Sequence, residues 1–147
     1  MANTLWTYPV ELRHEEGEWH AYCAAMPEAI AAGGTEAQAL DEMREAMAAA
    51  VRGRIKDEME LAPPPVAGTE AETHSVTLPA PLAAKASIYV AWRASGISKV
   101  ALAETLGVDE KAARRLLDPD HATRLDLFDA AARALGQQLV IGTMQAA

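Results

Sequence analysis

Residues 98–117 read SKVALAETLGVDEKAARRLL, and the spacing within this stretch decides the architecture of the second half of the chain. Its apolar positions fall at Ala103, Leu106, Val108, Ala113, Leu116 and Leu117. A tight turn, Leu106-Gly107-Val108, interrupts the helical period. Ser98 and Asp109 each precede a short helical run, and both residue types cap helix N-termini by accepting hydrogen bonds from unpaired backbone N–H groups. Gly107 stands where the first run ends, and glycine tolerates the left-handed backbone that closes a helix. Two short helices about a small turn predict a helix-turn-helix, whose second helix enters the DNA major groove while the first lies across the backbone.

With Ala113, Leu116 and Leu117 assigned to the core, Glu110, Lys111, Arg114 and Arg115 remain outside. Arginine or lysine there can grip a guanine edge or pair with phosphate. The competing reading is a helical hairpin inside a core, with a solvated charged face. The stretch resembles the lambda-repressor/Cro type of helix-turn-helix and aligns with it without a gap. That resemblance implies Lys99, Glu110, Lys111 and Arg114 at DNA-facing positions. Ser98 and Asp109 are caps first, with any DNA contact secondary. His121 lies beside Thr123 and Arg124 after the second helix, where loop residues often touch phosphate. The candidate DNA-binding set is Ser98, Lys99, Glu110, Lys111, Arg114, Arg115, His121 and Arg124.

A net charge of −8 over 147 residues looks wrong for a DNA binder until it is divided. Residues 1–75 carry 5 Lys/Arg and 14 Asp/Glu, or −9, whereas residues 76–147 carry 8 and 7, or +1. Such asymmetry suggests different partners for the two halves. The acidic half is repelled by phosphate and attracted to a basic surface, although acidity that merely keeps the chain soluble explains it too. No run approaches the ~20 apolar residues of a membrane span. The start, MANTLWTYPVELRHEEGEW, has neither the basic nor the apolar region of a signal peptide. One cysteine, Cys23, builds no disulfide framework, and His14, His20, His74 and His121 lack metal-ligand spacing. The expectation is a soluble cytoplasmic protein without cofactor or metal.

Along the chain, Trp6–Arg13 alternates, with Trp6, Tyr8, Val10 and Leu12 on one face, and predicts a half-buried strand with Pro9 at an edge or start. A polar turn, His14–Glu18, leads to a second strand over Trp19–Ala25, forming a hairpin. Ala29–Ala32 is a weak third strand, closed by Gly33-Gly34. Thr35 and Gln38 form a capping box. It opens a long helix with Leu40, Met43, Met47, Val51 and Ile55 along one stripe and Glu36, Asp41, Glu45, Arg52 and Lys56 outside. Leu61–Pro65 is expected to stop that helix. The linker spans 62–75, and Ser75–Leu78 returns as a last strand. A helix from Leu82 runs into Ser95-Gly96, and Asp118–His121 is a loop. Leu125–Leu135 is a helix with Leu125, Phe128, Ala132 and Leu135 inward, and Gln138–Gly142 a terminal strand.

Taken together, these features resemble the HicB family of antitoxins over nearly the whole chain. The N-terminal signature is carried by Gly17-Glu18-Trp19-His20-Ala21, Ala24-Ala25-Met26-Pro27-Glu28, Gly33-Gly34-Thr35 and Ala39-Leu40. The C-terminal match is stronger, through Ala84-Lys85-Ala86, Tyr89-x-Ala91-Trp92-Arg93, Gly96-Ile97-Ser98-Lys99, Asp118-Pro119-x-His121 and Arg124-Leu125. The family's Pro-Asp is Ala24-Ala25 here, and its Gly after Pro27 is Glu28, which puts the contacts of that loop in doubt.

The resemblance implies an α+β chain. A partial RNase H-like βββαβ domain, residues 1–79, would cover a HicA-type RNA-cleaving toxin. An all-α helix-turn-helix domain ending in a short strand, residues 80–147, would bind a palindromic operator as a homodimer and repress the toxin–antitoxin genes. The unpaired edge of Gln138–Gly142 predicts dimerisation through that strand and the helix before it, with pairing into tetramers left open. RNase H-like nucleases hold two metals with carboxylates, and Glu11, Asp41 and Glu45 are candidates by position. Yet acidic residues abound on every face, so the reading is a protein without catalytic residues. The alternative function is a repressor whose acidic half senses a small ligand, without a toxin partner.

Overall fold

The computed structural model describes residues 3–65 and 74–145, so most of the expected linker, residues 66–73, lies outside the described residues. The first alternating run is two strands rather than one. β1 (Thr7–Pro9) pairs antiparallel with β5 (Ser75–Thr77), while β2 (Glu11–Glu15) pairs with β3 (Glu18–Tyr22), and β3 with β4 (Ile30–Gly33). The backbone changes partner at Val10, whose N–H donates to the His74 carbonyl at 3.0 Å. The order is therefore ββββαβ. β5 closes a two-stranded ribbon with β1 and does not extend the three-stranded sheet β2-β3-β4. The inward set holds: Trp6, Tyr8 and Val10 are buried and Leu12 half-buried. β3 stops at Tyr22, short of Ala25, because Met26 turns back to the Cys23 carbonyl at 3.2 Å.

α1 (Glu36–Lys56) begins as its capping residues require. Thr35 Oγ1 accepts from the Gln38 N–H at 3.1 Å, and Gln38 Oε1 accepts from the Gly34 N–H at 3.0 Å, one residue ahead of the usual box position. Ala39, Met43, Met47, Ala48, Val51 and Ile55 are buried, whereas Leu40 is only half-buried. The helix crosses the sheet so closely that a Cβ on Gly33 would lie 2.6 Å from the Ala39 nitrogen. It ends well before the proline run. Glu58 takes a left-handed conformation (φ 52°), its N–H donates to the Ile55 carbonyl, and the Met59 N–H donates to the Arg54 carbonyl at 2.8 Å. That pair of bonds is a Schellman stop made by glutamate where glycine is usual.

The second half is helical: α2 (Ala80–Ser95), α3 (Lys99–Leu106), α4 (Glu110–Leu117) and α5 (Leu125–Ala134). Phe128, Ala131 and Ala132 bury α5, but Leu125 is exposed, because as the first helical residue it stands ahead of the buried stripe. Gln138–Gly142 is not a strand. Its N–H and C=O groups need a neighbouring edge, the described chain offers none, and Val140 and Ile141 are 81% and 68% exposed.

The halves pack against one another, and buried residues of both contribute to one hydrophobic cluster. Trp6 Nε1 donates to Ser87 Oγ at 2.7 Å, and the Tyr89 hydroxyl donates to the Met59 carbonyl at 2.5 Å. Lys56 pairs with Asp120 at 2.5 Å and Lys99 with Glu58 at 2.7 Å.

Candidate nucleic-acid interface

α3 and α4 are each eight residues long, too short to persist alone. Their ends are fastened accordingly. Ser98 Oγ accepts from the Ala101 N–H at 3.0 Å, and Asp109 Oδ1 accepts from the Ala112 N–H at 2.7 Å, so both side chains are occupied as caps. Gly107 (φ 65°) closes α3, with the Val108 N–H donating to the Ala103 carbonyl at 3.0 Å. Leu102 and Ala103 from α3, and Ala113, Leu116 and Leu117 from α4, are buried.

The outer surface of α4 then presents Glu110, Lys111, Arg114 and Arg115, all exposed. They fall into two rows, as i and i+4 residues share a face. Glu110 and Arg114 form one row and are bonded to each other, Arg114 Nε lying 3.0 Å from Glu110 Oε1. Lys111 and Arg115 form the other, and among the described residues neither has an ion pair.

The remaining candidates are spread around these rows. Lys99 is half-buried. Its ammonium lies 2.7 Å from Glu58 and 5.7 Å from the centre of the Trp92 ring. Lys99 and Arg114 line one crevice of about 230 Å³ with Glu58 and Lys56 of the first half. His121 is exposed in the loop, and Arg124 is exposed and 3.2 Å from Asp126. The structure thus brings Lys99 and Arg114 to one crevice and leaves Lys111 and Arg115 in open solvent.

Lys85 is the residue that sequence reasoning missed. It is buried in α2, and its ammonium donates to the Arg115 carbonyl (2.8 Å), the Leu116 carbonyl (2.9 Å) and Thr123 Oγ1 (2.6 Å). Helix C-termini leave carbonyls without intrahelical donors, and one buried cation satisfies two of them while tying down the loop that carries His121. Burial pushes its pKa down to about 8, and the nearby Asp118 partly opposes this. Its position between Leu82 and Tyr89, on the inward stripe of α2, was the available signal.

Glu28, the departure noted in the first half, also has a function in the fold. Its carboxylate receives both arms of Arg54, at 2.5 and 2.9 Å, which fastens the Pro27 loop to α1. Arg54 in turn holds the Glu28 carboxyl below the usual carboxylate range. Glu11, Asp41 and Glu45 do not converge: Glu11 points away from α1 and is bonded to Arg13, while the other two lie on the exposed side of α1. Among the described residues, no group of three or more His, Cys, Asp or Glu is placed to hold a metal ion, and no helix is long and apolar enough to cross a membrane.

A family model described as the HicB-like antitoxin of bacterial toxin–antitoxin systems matches residues 7–87. Among curated proteins, Antitoxin HicB of Pseudomonas fluorescens is 32% identical over 139 residues, covering 95% of this chain and 94% of that protein. Antitoxin HicB 2 of Photorhabdus laumondii is 30% identical over 132 residues, covering 90% and 92%. Antitoxin HicB of Escherichia coli is 32% identical over 133 residues, covering 90% and 95%. The family model ends within α2, whereas the alignments with these relatives are long enough to take in α3 and α4 as well as the sheet.

Proposed function

The chain belongs to the HicB-like antitoxin family of bacterial toxin–antitoxin systems, and from that premise we propose that it neutralises a HicA-type mRNA-cleaving toxin by covering it and represses its own operon. In this reading residues 1–79 form a partial RNase H-like toxin-binding unit, and residues 80–147 form a helix-turn-helix DNA-binding and dimerisation unit, in a cytoplasmic protein. The observation that carries it is the division of charge. A ribonuclease must attract phosphate and is therefore basic, which suits a −9 partner. Occlusion suffices, so no catalytic residue is required of the antitoxin.

DNA binding falls to α4 as the recognition helix, with Lys111, Arg114 and Arg115 as its cations and Lys99, His121 and Arg124 flanking it. Ser98 and Asp109 set the helix starts, and Glu110 orients Arg114. A single such module binds weakly. Two in a homodimer, with recognition helices about 34 Å apart, read a palindrome across one helical turn. The exposed Val140, Ile141 and Met144 favour pairing through the C-terminal unit. A ligand-sensing role is less well supported, since the crevice of about 230 Å³ falls below the roughly 300–1,000 Å³ of small-molecule sites.

Co-expression with the adjacent reading frame, followed by co-purification and a gel-shift assay on the upstream DNA, tests the proposal. A small basic ribonuclease that co-purifies and is silenced, together with a salt-sensitive DNA shift, is the expected result. Neither event occurring would refute it.

A further inference from the structure

One face of the β2-β3-β4 sheet is covered by α1, and the other is covered by nothing in the described chain. Alternation along the strands puts Glu11, Arg13 and Glu15 of β2, Glu18, His20 and Tyr22 of β3, and Ile30 and Ala32 of β4 on that outer side. The register lines them up across the sheet as Glu11–Tyr22–Ile30 and Arg13–His20–Ala32, with Glu15 opposite Glu18. An antiparallel sheet with one wet face normally alternates polar residues onto it. Here β3 and the edge strand β4 carry rings and apolar side chains, and the charges gather on β2 and at the hairpin end. Ile30 is 56% exposed, the His20 and Tyr22 rings stack at 6.4 Å, and the Arg13 guanidinium sits 4.8 Å over the Tyr22 ring.

We propose that this outer face is the surface on which the small basic ribonuclease docks, which rests on the toxin-binding reading above. The face has the parts of a protein contact laid side by side: an aromatic and apolar strip of His20, Tyr22, Ile30 and Ala32 over β3 and the edge strand β4, and a rim of Glu11, Glu15 and Glu18 with one arginine along β2 and the hairpin end. The rim is acidic, as a cationic partner requires, and the hairpin turn adds Glu16 beside it. Three strands about 4.8 Å apart, two of five residues and one of four, present roughly 230 Å². A stable contact takes about 800 Å² per partner, so this face is its centre and the acidic hairpin turn part of its margin. DNA is excluded as the occupant by the sign of the rim.

The test uses the full-length chain titrated calorimetrically with the purified product of the adjacent reading frame. Ile30→Arg and Glu18→Arg each put a cation on the face without touching the core. Each is expected to weaken binding at least about thirty-fold, the scale of an interface hot spot, and to abolish growth rescue. Glu42→Arg makes the same change of charge on the exposed side of α1, behind the sheet, and is expected to bind as wild type. Should Ile30→Arg lose its cooperative melt, Ala32→Arg, also at an exposed position, serves in its place. Wild-type affinity within two-fold in folded face variants would overturn the surface while leaving the toxin-binding reading intact. Failure of the wild type itself to bind would instead remove both.

Discussion

Two uncovered surfaces of this molecule differ in kind. The outer sheet face has rings and an isoleucine along β3 and β4 and carboxylates along β2 and the hairpin end, whereas the outer surface of α4 carries cations on long stems and no large apolar side chain. Dry contact favours the first arrangement, because an apolar centre gains when water leaves it. The second suits a partner that stays hydrated, as phosphate does, and whose affinity comes from released counterions. On the proposed reading, one chain carries two surfaces that reject each other's partner.

The largest way to break this contrast is to remove Lys85, which supports α4 from beneath. Lys85→Met keeps the aliphatic stem but leaves the Leu116 carbonyl and the Thr123 hydroxyl without their lysine donor, and the Arg115 carbonyl with the Asp118 N–H alone. A loss of about 2–4 kcal/mol in denaturant unfolding is expected. The pH dependence carries a sign. The folded value lies near 8 against 10.5 for the free group, so between them the unfolded chain holds a proton the folded chain has released. Wild-type stability from this group therefore rises as pH climbs from about 8 to about 10. Lys85→Met should lack that rise.

Gly33→Ala attacks the other half. Its Cβ would meet the Ala39 nitrogen at 2.6 Å, backbone that cannot yield, and a cost of about 1–3 kcal/mol is expected in thermal melts. On the DNA side, Arg114→Ala should cost about 1–3 kcal/mol on the operator and relax preference at one base position. Lys99→Ala should instead weaken all sequences alike and flatten the salt slope. Equal binding by both variants and wild type in titrations across salt would remove the proposed DNA face. The smallest effect is expected of Glu58→Gln. It releases Lys99 from an exposed pair worth under about 1 kcal/mol to the fold, and DNA binding should tighten a few-fold at low salt and not at high salt.

Local chemistry was legible in the sequence wherever a few neighbouring residues decide the outcome. Thr35 with Gln38, Ser98, Asp109 and Gly107 announce helix ends because their partners lie within four residues. The inward stripe of α1 followed from period alone. What escaped depends on distant partners. The division of the first strand reflects β5, which arrives some seventy residues later. The stop at Glu58 was hidden because the pattern expects glycine, and Leu125 because an amphipathic stripe does not say where a helix meets its core. Gln138–Gly142 has the apolar character of a strand, but character does not supply an edge. The outward candidates on α4 were readable by subtraction, whereas Glu58 beside Lys99 was not, since it joins two halves of the chain.

The return of β5 to β1 means that severing the backbone anywhere between Pro65 and His74 would not part the molecule at its functional joint. The tail fragment would keep one strand zipped into the head through Val10–His74 and Trp6–Leu78, and both pieces would migrate as a single species in gel filtration. The proposed boundary between the two units falls instead at Pro79, where the last strand is finished and the first helix of the second half begins.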